Sequence, residues 1–284
     1  MIPADFEYVA PFTVDEAVRA LADAGEDAKV LAGGQSLIPV LRMRLAAPTV
    51  LVDLSNLTEL TGVRDDGDSI LIGAMTTHYE VQRDHLVHDH ARLLAIATDT
   101  VADPQVRHRG TFGGALAHAD PAGDLPAPAL ALDAMMIILG PGGRREVPAS
   151  EFFVDYFTTT LEPNEILIDV RVPKLTGWSA HYEKFNRVAQ AWSIVAVAAA
   201  VRVSDGTIAE ARVALTNMGP TPVRASGVEE ALVGQPATAE SITEAAAHAA
   251  EGTNPTTDGN ADSEFRSHLA RVLTGRALTA AVSA

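Results

Sequence analysis

Lys29-Val30-Leu31-Ala32-Gly33-Gly34-Gln35-Ser36-Leu37 is the stretch whose reading decides the fold. The short run Ala28 to Leu31 has strand character, Gly33 and Gly34 end it, and an apolar-periodic segment begins at Leu37. Adjacent glycines permit positive φ and let another group approach closely. Their N–H groups, set before a helix start, are able to face an anion. A tight turn between strand and helix is the alternative, and this stretch alone does not separate the two.

A second glycine-rich stretch bears on that choice. Arg107-His108-Arg109-Gly110-Thr111-Phe112-Gly113-Gly114-Ala115-Leu116-Ala117-His118-Ala119-Asp120-Pro121 places three glycines between positions 110 and 114, with a hydroxyl at Thr111. Two such loops in one domain suit a diphosphate held from both sides by backbone N–H donors, or they are two unrelated turns. Neither loop has the G-x-G-x-x-G spacing of a Rossmann dinucleotide site, and no Walker A motif is present.

Around these loops the chain divides into strands and helices by period and punctuation. Phe6–Phe12 is extended, and Thr13 caps a helix over Val14–Ala24 with Glu16 completing a capping box. Ala28–Leu31, a helical segment to about Leu45 and Thr49–Leu54 form a small βαβ unit. Asp66-Gly67 is a hairpin turn between Gly62–Arg64 and Ser69–Gly73. Thr77 caps a helix to Arg83, and Arg92–Val101 is a second apolar-faced helix. Ala134–Leu139 and Arg145–Val147 flank a turn, a short aromatic helix runs Phe152 to Phe157, and Glu165–Val172 is a strand. The region Leu175–Trp178 is a candidate domain boundary. Beyond it, Ser179–Phe185, Ser193–Val203 and Thr207–Leu215 predict three antiparallel strands, with Asp205-Gly206 in the second turn. Helices follow at about Ala225–Leu232, Ala239–Glu251 and Asp262–Val282. Strands first and helices after indicate an α+β domain.

The totals narrow the classes of function. The chain has 284 residues, 47% of them hydrophobic, which is enough for two domains. A formal charge of −16 argues against a nucleic-acid partner, since phosphates are repelled. With no cysteine, thiol catalysis and thiolate-ligated zinc or iron–sulfur sites are excluded. The opening Met1-Ile2-Pro3-Ala4-Asp5-Phe6 lacks signal-peptide regions, and the longest apolar run, Ile194 to Val201, is strand-sized, so no membrane span and a cytoplasmic location are expected. His85, His88 and His90 cluster on a polar segment and read as solvated, and His118 reads as a structural donor within the second loop.

Ala32 to Leu37 followed by Arg109 to Pro121 resembles the medium, FAD-binding subunit of the molybdenum hydroxylases of the carbon monoxide dehydrogenase and xanthine dehydrogenase type. The resemblance takes in Phe6-Glu7-Tyr8, Gly73-Ala74-Met75-Thr76-Thr77-His78 and Tyr182-Glu183-Lys184-Phe185, and so covers essentially the whole chain. It implies an α+β fold. A two-lobed FAD-binding domain of the vanillyl-alcohol-oxidase (PCMH) type would span 1–176, with a βαβ lobe over about 1–55 and a larger lobe over about 56–176. A C-terminal domain over 177–284, a three-stranded antiparallel sheet with helices, would follow. The implied role is relay of electrons through FAD to an external acceptor. The molybdenum cofactor would sit in a large partner subunit and the iron–sulfur clusters in a small one, in a dimer of heterotrimers. A stand-alone FAD-dependent oxidoreductase and a non-enzymatic nucleotide-binding module are the alternatives.

By the same resemblance Ala32, Gly33, Gly34, Gln35, Ser36 and Leu37, with Thr111, Phe112, Gly113, Gly114 and Ala115, would hold the FAD diphosphate. Asp124 matches an aspartate near the ribose, or caps a loop. Leu167 touches adenine or flavin, or fills core. Lys184 lies near the flavin N1–C2 edge, or is an exposed strand lysine. Trp192 covers the isoalloxazine, or is an ordinary core aromatic. The family pattern after Arg187 often has a second arginine and later an aspartate, where this chain has Val188 and Ala191. No catalytic residue and no metal ligand is expected.

Overall fold

The computed structural model describes residues 2–284. The first lobe is β1 (Glu7–Val9), α1 (Val14–Ala24), β2 (Ala28–Leu31), α2 (Leu37–Arg42) and β3 (Val50–Asp53). Its three strands are parallel in the order β1-β3-β2. Helix α1 buries Val14, Ala17, Val18 and Leu21, spaced for one face. Thr13 accepts a hydrogen bond from Glu16 N, while the Glu16 carboxylate reaches back to Phe12 N rather than to the cap residue itself.

The second lobe is built on an antiparallel sheet. It contains β4 (Val63–Asp66) and β5 (Ser69–Gly73), then α3 (His78–Val81), α4 (His85–His90), α5 (Arg92–Asp99), α6 (Pro104–Arg107), α7 (Phe112–His118) and α8 (Pro126–Ala131). There follow β6 (Met135–Gly140), β7 (Gly143–Pro148), α9 (Ala149–Phe152), the short pair β8 (Phe153–Asp155) and β9 (Thr158–Thr159), and β10 (Ile166–Pro173). The sheet order is β4-β5-β10-β6-β7, with the last strand of the lobe in the middle. One face, through Ile137, Ile166 and Ile168, shares a core with α1. The other buries Leu93, Leu94, Phe112 and Leu116 of the helices, with Leu125 just before α8. The aromatic helix expected over Phe152 to Phe157 is corrected: α9 stops at Phe152, and Phe153 turns into a strand whose aromatic ring packs edge-on against Phe152.

The third part is β11 (Ser179–Phe185), β12 (Val195–Ser204), β13 (Thr207–Thr216) and a two-residue β14 (Val223–Arg224), antiparallel in that order, with α10 (Ser226–Leu232), α11 (Ala239–Ala246) and α12 (Ser263–Val282). The three expected strands are there, and β14 adds a fourth too short to leave a period in the sequence. Helix α11 ends at Ala246 because residues 247–250 tighten into a 3-10 turn. Strand β12 is apolar from Val195 to Val201 because both its faces are covered there. Val195, Val197, Ala199 and Val201 meet α12 and its neighbours, whereas Ala196, Ala198 and Ala200 belong to the core of the second lobe. Small side chains on that second face let the sheet sit close against α5 and α8. Among the described residues no helix is long and apolar enough to cross a membrane.

Candidate functional site

The two glycine loops meet. A Cβ built on Gly33 would stand 2.1 Å from the Arg109 carbonyl oxygen and 2.7 Å from Gly110 Cα. A Cβ on Gly114 would come within 3.4 Å of the Ala32 methyl. Glycine is therefore required at Gly33, where backbone meets backbone, at Gly114 by Thr111 Oγ1 of its own stretch, which a Cβ would approach to 2.6 Å, and at Gly34 by a φ of +72°.

The amides of the two loops do different things. Among the described residues, Gly33, Gly34, Gln35 and Ser36 have no N–H acceptor within the chain, while Ile38 N donates to the Gly34 carbonyl and opens α2. Gln35 folds back, its side-chain amide donating to the Gly33 carbonyl at 3.1 Å. The second glycine stretch is not a loop beyond Thr111: Thr111 caps α7, and the amides of that helix's first turn point inward. Phe112 N donates to Thr76 O and Gly113 N to Ala74 O, each at 2.9 Å. Gly114 N donates to Thr111 Oγ1, and Ala115 N to the Thr111 carbonyl. Free donors thus line up on the first loop, and the second loop acts as its brace. A row of unpaired backbone N–H groups is what an anion such as a diphosphate replaces water on, so the residues present fit an anionic cofactor.

The brace has its own support. Gly110 lies flat against the His78 ring, where a Cβ would be 2.8 Å from the imidazole carbon. His78 is buried, and its Nδ1 has no partner. Burial, with the Arg107 charge adding to it, pulls its pKa down to about 4, so the ring is neutral at physiological pH.

Asp124 and Lys184 form a buried ion pair at 2.8 Å, with the lysine side chain only 7% exposed. The Asp124 carboxylate also accepts from Tyr182 Oη and Ser193 Oγ, both at 2.9 Å, and the ammonium donates to the Thr100 carbonyl. Burial lifts the Asp124 pKa, and the Lys184 charge and the three hydrogen bonds draw it back. Burial and the neighbouring Asp124 push the Tyr182 phenol well up. Both carboxylate oxygens are engaged by donors from β11 and from the segment between β11 and β12, so this cluster ties the C-terminal part to the second lobe. Lys184 is accordingly not the exposed strand lysine of the alternative reading.

Leu167 is buried in the core of the second lobe, beside a β-bulge before Asp169. Trp192 is 55% exposed rather than a core aromatic. It borders a cleft of about 360 Å³ lined also by Asp120, Ala122, Arg187, Ile194 and Asp258. His118 is half-buried with its ring tilted against Phe157, and burial lowers its pKa. His88 and His90 lie on the surface helix α4, and no group of three His, Asp or Glu is placed to hold a metal ion among the described residues.

Three residues of this region carried no expectation. Ser193 and Asn217 hold the backbone after Trp192, and nothing in their own type marks them. Arg266 falls on the α12 face with Leu269, Ala270, Leu273 and Ala277, so the helical period alone places a charge in the core.

Comparison with known proteins agrees in extent with the whole chain. A family model described as "FAD binding domain in molybdopterin dehydrogenase" matches residues 4–175, and one described as "CO dehydrogenase flavoprotein C-terminal domain" matches residues 180–281. The chain is 42% identical over 284 residues to the carbon monoxide dehydrogenase medium chain of Hydrogenophaga pseudoflava, covering 99% of this chain and 98% of that one. It is 34% identical over 284 residues to the 6-hydroxypseudooxynicotine dehydrogenase complex subunit alpha of Paenarthrobacter nicotinovorans, covering 99% and 96%. Among solved structures it is similar to a chain of the carbon monoxide dehydrogenase of Hydrogenophaga pseudoflava, with a TM-score of 0.97 and 42% identity over 100% of this chain and 99% of that one.

Proposed function

The chain belongs to the FAD-binding medium subunits of molybdenum hydroxylases, and we propose that it is the relay subunit of a heterotrimeric complex, passing electrons from iron–sulfur clusters in a small partner through FAD to an external acceptor. The molybdenum cofactor belongs to a large partner, and two heterotrimers pair. With no cysteine of its own, the chain leaves any thiolate-bound cluster to another polypeptide. Two relatives at 42% and 34% identity are named for different dehydrogenases, which supports assigning substrate choice to the large partner.

The observation that carries the reading is the row of unpaired amides from Gly33 to Ser36 braced by Arg109 and Gly110. These residues bind the FAD diphosphate, with Ala32 and Leu37 shaping the ends of the loop. Thr111 to Ala115 hold that loop in place. FAD, when bound, supplies the redox chemistry by accepting electrons and releasing them to an acceptor. Lys184 supplies positive charge on the flavin side, fixed by Asp124. Leu167 gives the cofactor an apolar wall. Trp192 stands at the mouth of the cleft, where it gates the acceptor.

The test is to purify the chain with whatever binds it. Two further polypeptides carrying molybdenum and iron are expected, with flavin reduction by the complex's substrate dependent on both. Reduction of the flavin by an organic substrate in the isolated chain would overturn the assignment.

A further inference from the structure

Arg266 is 1% exposed, the largest fully buried side chain among the described residues. A buried guanidinium is costly unless its charge is paired and most of its N–H groups are met. Here Nη1 donates to the Ile194 carbonyl and Nη2 pairs with Asp258 Oδ2 at 2.8 Å, while Nε has no partner. Ile194 and Asp258 both line the cleft at Trp192. One planar group therefore joins two walls of that cleft from behind. The guanidinium fork fixes the separation of two acceptors in a way that a lysine ammonium does not.

The backbone after Trp192 is held from other sides too. Asn217, at a φ of +62°, donates its side-chain amide to the Ser193 and Ile194 carbonyls at 2.8 and 3.2 Å. Its own N–H donates to the Pro121 carbonyl in the second lobe. Ser193 is fastened to Asp124, and Ile194 N donates to Phe185 O. Residues 186–191, before Trp192, are mostly exposed and reach the second lobe through Gln190 to Asp103. Trp192 thus stands at the junction of an exposed loop and a clamped segment.

We propose that Arg266 is a positioning residue for the acceptor cleft, holding Ile194 and Asp258 apart at a set distance and thereby fixing where Trp192 stands. The inference rests on the reading of this cleft as the place where the acceptor meets the flavin. Asp258 is the second member of the clamp. Its other oxygen accepts from Asn260 N and Ala261 N, so the same carboxylate shapes the loop that forms the far wall.

The FAD-loaded complex carrying Arg266→Met tests this by two readouts. Amide hydrogen exchange is expected to speed up at Ile194 and over 258–262, with the five-stranded sheet unchanged. After chemical reduction, reoxidation by 1,4-benzoquinone, which leaves as hydroquinone with two electrons and two protons from the cofactor, is expected to slow about tenfold. Reoxidation by ferricyanide, which needs no docked geometry, is expected to hold its rate. Asp258→Asn, on an exposed loop, gives a smaller shift in the same sense and keeps the test open if Arg266→Met does not fold. Unchanged exchange at Ile194, or equal slowing with both oxidants, overturns the clamp. Trp192→Ala separates the two levels. A quinone effect there with none in Arg266→Met removes the clamp and leaves the cleft, and a quinone effect absent in Trp192→Ala removes the cleft reading.

Discussion

The carbonyl oxygen of Arg109 rests against Cα of Gly33, so close that a Cβ there would lie 2.1 Å away. The obstacle is backbone on both sides and has no flexible end to swing aside. Gly33→Ala is therefore expected to push the first loop off its brace and lose most bound FAD, at a stability cost of about 1–3 kcal/mol. Gly142→Ala, at a turn with nothing within 4 Å, is the control. Flavin-to-protein ratio after gel filtration measures the outcome, and equal retention in the two variants would reject the brace.

Asp124 and Lys184 should be costly to break singly and cheap to replace together. Either Asp124→Leu or Lys184→Met leaves a buried charge without its partner, a loss of about 3–5 kcal/mol, whereas the double change recovers much of it. Ser193→Ala, which removes one neutral donor from the carboxylate, costs about 1 kcal/mol. Urea denaturation of the four variants checks the cycle, and additive losses would show that the ion pair is not a unit.

His78 gives the fold an acid limit. Its pKa is about 4 in the folded chain against 6.5 when free, so between these values the unfolded state binds more protons. Stability from this group is complete above 6.5 and falls as pH drops toward 4. At pH 5 the loss relative to pH 7 is about 2 kcal/mol. His78→Gln is expected to flatten that part of the pH–stability curve, measured by thermal melts at pH 5 and 7; an unchanged slope would place the acid sensitivity elsewhere.

Trp192→Ala should leave FAD content intact and alter acceptor kinetics, because the ring is mostly exposed and borders the cleft rather than the glycine loops. Steady-state acceptor profiles of the purified complex decide this. A fall in FAD content with no change in acceptor preference would make Trp192 part of the cofactor's seat instead.

Much of this architecture was legible locally. Thr13 and Thr77 cap helices, though the one after Thr77 ends at Val81 rather than Arg83, the last helix begins one residue later than expected because Asp262 is its cap, and Asp66-Gly67 and Asp205-Gly206 make their hairpins. Such signals act over a few residues, so they survive in the bare sequence. Phe153 misled because an aromatic run fits a helix and a strand alike, and only pairing with Thr159 chose the strand.

The sequence by itself determined the two glycine stretches, the long strands of the three sheets and the absence of thiolate chemistry, since these depend on residue type and short-range period, whereas the short helices α4, α6, α7 and α8 left no period long enough to read. Only the tertiary structure decided what the loops do to each other. It turned the amides of Phe112 and Gly113 inward to Thr76 and Ala74, left those of Gly33 to Ser36 free, and set Arg109 behind Gly33. It also buried Arg266 against the Ile194 carbonyl and joined Asp124 to Lys184 across sixty positions. Hydrogen-bond partners and burial come from segments far apart along the chain, and no local pattern encodes which of them will meet.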